Sequence, residues 1–178
     1  MGLKEGFVVC GLGFVLQAEF CRYTYKSACD TNHKPQTPHN KMIIVTKQQQ
    51  IEMNRHAESE YPNECCGAVL GRFENDKKTV QQILPISNMR EPEAKHNRFL
   101  IRPEEFLHCE KTARKSGLDV IGFYHSHPDH PAEPSQYDLE HALPVYSYII
   151  IAVAKGHAEE MTSWELQNDR TQFNRESM

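Results

Sequence analysis

Hydrophobic positions along the chain fall into short runs set apart by polar, proline-bearing or glycine-bearing stretches, and the spacing within each run decides its element. Met42 to Val45 reads as a short strand. Thr46 and Gln49 form a capping box that opens a helix running to about Glu60, with a modest apolar face of Ile51, Ala57 and Tyr61. Pro62 ends it. Cys66 to Phe73 is an apolar strand, Glu74 to Lys78 a turn, and Thr79 to Ile86 the second arm of a hairpin. Gly67 and Gly71 fit a strand that twists or is approached closely by another backbone. Ser87 to Arg98 is irregular and polar, and Phe99 to Ile101 is a short strand. Pro103 suits the first position of a helix with Glu104 and Glu105 in its first turn and Lys111, Arg114 and Lys115 near its last. That charge order complements the helix dipole, and Gly117 terminates the helix. Phe106, Leu107, Cys109 and Ala113 supply its core face.

Leu118 to Tyr124 is apolar at consecutive positions, the pattern of a central strand covered on both faces. Pro128, Pro131 and Pro134 then forbid helix and sheet continuation and hold a stiff loop. Ser135 restarts regular structure as an N-cap, and Pro144 stops the new helix after about Leu143. Ser147 to Ala154 is a further buried strand. Lys155 to His157 turns, and Met161 to Leu166 pairs back with Trp164 as a core anchor. Thr171 to Met178 is too polar to place. No internal repeat or heptad is visible. Strands and helices alternate, so the fold class is α/β (α+β): one mixed sheet flanked by helices.

The length of 178 residues suffices for one domain with a sizeable core. With a net charge of −4 and pI near 6.2, the chain advertises no basic surface for nucleic acid or membrane. Its six cysteines show no CxxC pair, and the vicinal Cys65 and Cys66 are badly placed for a mutual disulfide. They read as reduced residues of a cytoplasmic protein. Residues 1–41 differ from the rest. Phe7 to Leu16 is apolar but too short to span a bilayer, and it makes a poor signal peptide. Asp30 to Asn40 is polar, with Pro35 and Pro38. The expectation is an extension or linker at 1–41, or a start-site artefact, with a weak signal or anchor as the alternative. The domain then occupies 42–178.

Candidate chemistry concentrates between Phe123 and Asp138. His125 and His127 are two apart, so on an extended backbone their side chains leave the same face. Asp138 falls in the first turn of the helix that Ser135 opens. Two imidazoles and a carboxylate can converge there with a fourth position left for water, which is how a catalytic zinc site is built. The spacing leaves other readings open. His-x-His occurs in ordinary strands, Ser135 and Asp138 can be only a capping pair, and His130 or His141 can supply a third ligand.

Adding Glu64 changes the picture. A distant Glu, then His125-Ser126-His127-Pro128, seven residues, and Ser135-x-x-Asp138 resembles the signature of the JAMM (MPN+, JAB-domain) metallopeptidases. Tyr61 to Gly67 and Tyr148 to Val153 are similar to segments of the small bacterial members. The resemblance implies a single MPN/JAB domain with a mixed, mostly antiparallel sheet. It implies one Zn²⁺ on His125, His127 and Asp138, Glu64 as the proton carrier, and the Ser135 hydroxyl as an oxyanion donor. Its substrates are peptide or isopeptide bonds after the C-terminal Gly-Gly of ubiquitin or ubiquitin-like proteins. The short stretch after Met42 leaves little room for insertions that grip ubiquitin, which favours a ubiquitin-like sulfur-carrier protein as partner. A deubiquitinase-like isopeptidase and a non-catalytic MPN scaffold are the alternatives.

Overall fold

The computed structural model describes residues 42–74 and 77–178. The expected extension at 1–41 lies outside the described residues. Among the described residues seven strands and three α-helices follow one another as β1 (Met42–Ile44), α1 (Lys47–Glu60), β2 (Cys66–Glu74), β3 (Lys77–Ile86), α2 (Pro103–Lys115), β4 (Asp119–Pro128), α3 (Gln136–His141), β5 (Ser147–Ala154), β6 (His157–Leu166) and β7 (Phe173–Glu176). The strands form one mixed sheet in the order β1-β3-β2-β4-β5-β6-β7. β1–β3 and β4–β5 are parallel and the other pairs antiparallel. The two outer strands meet, since Ile43 N donates to Ser177 O at 2.9 Å and Met42 bridges Ser177. Among the described residues no helix is long and apolar enough to cross a membrane.

Two hydrophobic clusters lie on opposite faces of the sheet. Met53 and Ala57 of α1 join Val69, Ile83, Ile121, Tyr124, Ile149 and Ile151 on one face. Cys109 and Ala113 of α2 join Ala68, Leu70, Val120, Phe123 and Tyr148 on the other. A register shift between Val69 and Leu70 gives β4 one extra residue, Ile121, so side chains on either side of it change face. α1 begins with the expected capping box at Thr46 and Gln49. Its buried face differs from expectation: Met53 and Ala57, one helical turn apart, are fully buried, whereas Ile51 is only partly so. Gly67 permits a close approach, because a Cβ there would collide with the Tyr124 ring. That ring's hydroxyl meets His56 Nδ1 at 2.8 Å and ties α1 to β4 one residue before His125.

Several expected boundaries move, each for a local reason. β4 runs through Pro128 because β5 stays paired with it as far as Val153. Ser126 N points toward β2, donating to Cys65 O at 3.2 Å. By alternation the nitrogen of Pro128 faces the same side, which β2 has already left, so its missing N–H costs no ladder bond. Phe99 to Ile101 joins no strand ladder; Leu100 bonds to Met89 and to the Asn88 side chain instead. α3 ends at His141, short of Leu143. Trp164 is only partly buried, its indole N–H donating to Thr162 Oγ1 at 2.8 Å.

Lys77 and Lys78, expected in a turn, belong to β3, and Lys78 is buried. Its ammonium lies 2.9 Å from Glu165 and 3.5 Å from Glu176, and donates to Ser147 Oγ at 2.8 Å. Glu176 also accepts from Ser147 at 2.6 Å and Ser163 at 2.8 Å. Glu176 belongs to β7, the strand that polarity hid, and its buried carboxylate anchors that strand. Removing one member of a buried charge cluster strands the others at a cost of about 3–5 kcal/mol. Lys78→Met should therefore lower the urea midpoint with little change in slope. Adding Glu165→Gln and Glu176→Gln should restore most of the loss. A Lys78→Met protein as stable as the parent would show that the cluster does not hold the sheet closed.

Candidate metal centre and its surroundings

The centre is built at the far end of β4. His125 and His127 leave the face that carries Phe123, and both are buried. Their Nε2 atoms lie 3.0 Å apart. Asp138, in the first turn of α3, brings Oδ1 to 3.4 Å from His125 Nε2 and Oδ2 to 3.7 Å from His127 Nε2. One ligand atom from each residue lies within 4.8 Å of the other two, the arrangement of a group able to hold a metal ion. His127 Nδ1 sits 2.9 Å from the Pro131 carbonyl, which fixes the proton on Nδ1 and aims the Nε2 lone pair at the centre. Phe99 stacks on His125 at 4.7 Å between ring centroids and covers it. Two buried nitrogens facing one carboxylate across so small a space are satisfied together by a cation, so the donor set fits a metal ion.

Ser135 and Asp138 form the helix cap, and that cap leaves Asp138 Oδ1 facing the histidines. Ser135 N and Oγ donate to Asp138 Oδ2 at 2.7 and 2.6 Å, and Asp138 N donates back to Ser135 Oγ at 3.2 Å. The capping box thus locks the carboxylate, while Oδ1 faces His125. His130 is exposed. His141 stacks on Tyr137 at 3.9 Å, and its Nδ1 meets the Tyr137 carbonyl at 2.8 Å. Neither belongs to the convergent group. The loop after β4 is pinned by Asp129, whose carboxylate accepts from Tyr61 and from Lys155 N, both at 2.9 Å. The Ala132 carbonyl accepts from Thr162 at 2.5 Å.

Glu64 lies just ahead of β2 and is 6% exposed. Burial pushes its carboxyl up to about 8, with His127 opposing, Asp138 adding to the rise and Arg98 opposing. Such a carboxyl can both accept and release a proton near neutrality. Asp138 goes the other way. Burial alone would raise it, but His125, His127 and the Ser135 hydroxyl outweigh that and hold it well below the usual carboxylate range. Burial lowers His125; His127 is raised, because its bonds to Asp138 and Pro131 overcome burial.

Ser126, to which the sequence allows either a positioning role or a small filler role at the strand end, lies on the opposite face from the histidines, accepts from Cys65 N at 2.8 Å and ties the Glu64 approach to β4. Two further contributions were invisible to pattern reading. Arg98 stacks on Tyr137, with 4.6 Å from its guanidinium carbon to the ring centroid. Asn88, 8% exposed, donates to the Glu64 carbonyl at 2.9 Å. No local signal marks Asn88, because its partners come from other parts of the chain.

Comparison with known proteins agrees with this architecture. The family model described as prokaryotic homologs of the JAB domain matches residues 46–167. The desampylase of Haloferax volcanii is 37% identical over 91 residues, which are 50% of this chain and 62% of that protein. A Thermus thermophilus protein named "Probable TtuB-protein conjugate cleaving protease" is 30% identical over 112 residues, 63% of this chain and 71% of that one. The match thus spans less than two thirds of the length of the first of these relatives. The solution structure of a protein from Desulfitobacterium hafniense has a TM-score of 0.67 at 34% identity, covering 76% of this chain and 90% of that one.

The raised Glu64 carboxyl predicts a pH signature in protein stripped of divalent metal by a chelator. Its folded pKa of about 8 exceeds the ordinary 4.5, so the folded state binds the proton more tightly than the unfolded state does. That contribution is complete below the ordinary value and is lost as pH rises through the folded one. Glu64→Gln lacks it. Melting temperature relative to Glu64→Gln should therefore fall between pH 4.5 and about 8 and level off above. A difference independent of pH would mean that the Glu64 carboxyl is solvated.

Proposed function

The chain belongs to the prokaryotic homologs of the JAB domain, and from that premise we propose that it is a zinc-dependent peptidase or isopeptidase. Its substrate would be a ubiquitin-like sulfur-carrier protein, cut after the C-terminal Gly-Gly to remove an extension or release an attached residue. The observation that carries this reading is the convergence of His125, His127 and Asp138 beside the buried carboxyl of Glu64. Two relatives support the substrate class by their names, a desampylase and a conjugate-cleaving protease. The catalytic unit is assigned to residues 42–178. Cys65, Cys66 and Cys109 are free and buried, in keeping with a cytoplasmic enzyme.

In this reading His125, His127 and Asp138 hold the ion. A zinc ion held there would supply Lewis acidity and make water a nucleophile near neutral pH. Glu64 takes a proton as the scissile carbonyl is attacked and returns it to the departing amine. The Ser135 hydroxyl, at the head of α3, would turn from Asp138 Oδ2 to donate to the developing oxyanion, while Ser135 N keeps its bond to that carboxylate oxygen. Loss of such a donor lowers the rate by about 100- to 1000-fold. Phe99 over His125 keeps bulk water from that side of the metal ligands. A Gly-Gly tail suits such a site, because residues without side chains can thread a narrow cleft in an extended conformation.

Purified protein should carry about one zinc per chain by elemental analysis, the stoichiometry of a mononuclear catalytic site. Asp138→Ala should lose it, and His130→Ala and His141→Ala should keep it. Full zinc in Asp138→Ala would remove Asp138 from the ligand set. Glu64→Gln should keep both metal and fold.

Activity is read by mass spectrometry on a sulfur carrier bearing a short C-terminal extension, beside di-ubiquitin. A new end at Gly-Gly on the carrier is expected, absent after chelation and in Glu64→Gln. Bulky residues in place of either glycine should abolish it. Efficient cleavage of di-ubiquitin with the carrier untouched would transfer the protein to the deubiquitinases, and zinc-loaded protein that cuts neither would count for a scaffold.

A further inference from the structure

Glu64 stands two residues before the sheet ladders, which begin at Cys66, opposite Ile86 and His125. Its peptide groups therefore need partners elsewhere. Both come from the segment between β3 and α2. Glu64 N donates to the Lys95 carbonyl at 2.7 Å, and the Glu64 carbonyl accepts from Asn88 Nδ2 at 2.9 Å. The amide of Asn88 uses its whole bonding capacity. Nδ2 also donates to the Arg98 carbonyl at 3.0 Å, while Oδ1 accepts from Arg90 N at 3.0 Å and Leu100 N at 3.2 Å. Two carbonyls lie on one side of the amide and two N–H groups on the other, which fixes its orientation without ambiguity.

We propose that Asn88 is a positioning residue for Glu64, a side-chain jig that fixes the Glu64 peptide relative to the metal-ligand strand. The opposite side of the same short segment is held by Ser126 of β4, through Cys65 N at 2.8 Å. Glu64 is thereby clamped between the covering segment and the strand that bears His125 and His127. The amide does two separable things. Its oxygen organises the segment through Arg90 and Leu100; its nitrogen reaches Glu64 and Arg98. No other side chain of similar size does both. A carboxylate keeps the acceptors and turns the two donor bonds into repulsions, and an aliphatic side chain of the same size leaves four peptide groups unpaired.

The catalytic consequence rests on the peptidase reading above, whereas the positional one does not. The test uses full-length, zinc-loaded parent, Asn88→Asp, Asn88→Ala and Glu64→Gln proteins. Hydrogen exchange reports the Glu64 and Cys65 amides against Ala68 to Leu70 in the core of β2. Both Asn88 variants should speed exchange at Glu64 by about tenfold, because the Lys95 carbonyl that holds this amide lies in the segment Asn88 organises and one net hydrogen bond is worth about that factor, with the β2 core unchanged and zinc retained. Against a cleavable carrier, kcat should fall by about 100-fold, as expected for a reacting group displaced by about an ångström. KM should stay within about twofold, the split that separates a misplaced proton carrier from lost substrate binding. Unchanged exchange at Glu64 in both variants would overturn the proposal. So would faster exchange at Glu64 and the β2 core together, which marks general loosening. Altered Glu64 exchange in a protein whose parent cuts no carrier would uphold the positioning and sink the substrate reading.

Discussion

β4 is flanked by strands that stop at different heights. β2 pairs with it only as far as Cys66 opposite His125, whereas β5 stays alongside to Val153 opposite Pro128. The parallel β4–β5 pairing thus carries the His-Ser-His-Pro segment three residues beyond the end of the β2 ladder, fixed on one side and open on the other. Three groups gather with the histidines at that end: Glu64 on its approach to β2, Asp138 on α3, and Phe99 over His125. A β2 ladder extended by those three residues would fill the space with backbone. Ligand sites form outside strand ends for the same reason, that neighbouring chains diverge there and leave room.

Two carboxyls share that opening and are driven apart by their surroundings. Both are buried, and burial raises each. Asp138 has two imidazoles, a hydroxyl and a backbone N–H within reach and ends well below the ordinary range; Glu64, with weaker compensation, reaches about 8. In the proposed reading the first would stay ionised as a ligand and the second would trade a proton. Divergence of this kind between neighbouring carboxyls is how a single site separates electrostatic duty from proton transfer. A dication bound by the three ligands would favour the ionised form of Glu64 and sharpen its role as an acceptor.

Much of the site was legible in the sequence because its information is local. Two histidines two residues apart share a face on any strand, and Ser135 three residues before Asp138 defines a capping box whatever lies around it. The helix beginning after Thr46 was readable on the same grounds. What escaped depends on partners far along the chain. Lys78 looks like a turn residue in Asp76-Lys77-Lys78, since nothing nearby hints that Glu165 and Glu176 await it. The polar stretch holding β7 has one buried side chain, Glu176, and that one is charged. Asn88 is bonded to Glu64, Arg90, Arg98 and Leu100, a set that no periodicity displays. Phe99 to Ile101 has strand composition, but an amide side chain takes the place of a neighbouring strand.

The junction of the outer strands bears on how this fold can be joined to others. Met42 and Ser177 are bridge partners running in the same direction, so the first strand of the fold and the end of its last lie side by side. A chain that enters and leaves at one spot occupies no more of a host's surface than a loop does. It can be spliced into an exposed turn of another protein through a few flexible residues at each junction.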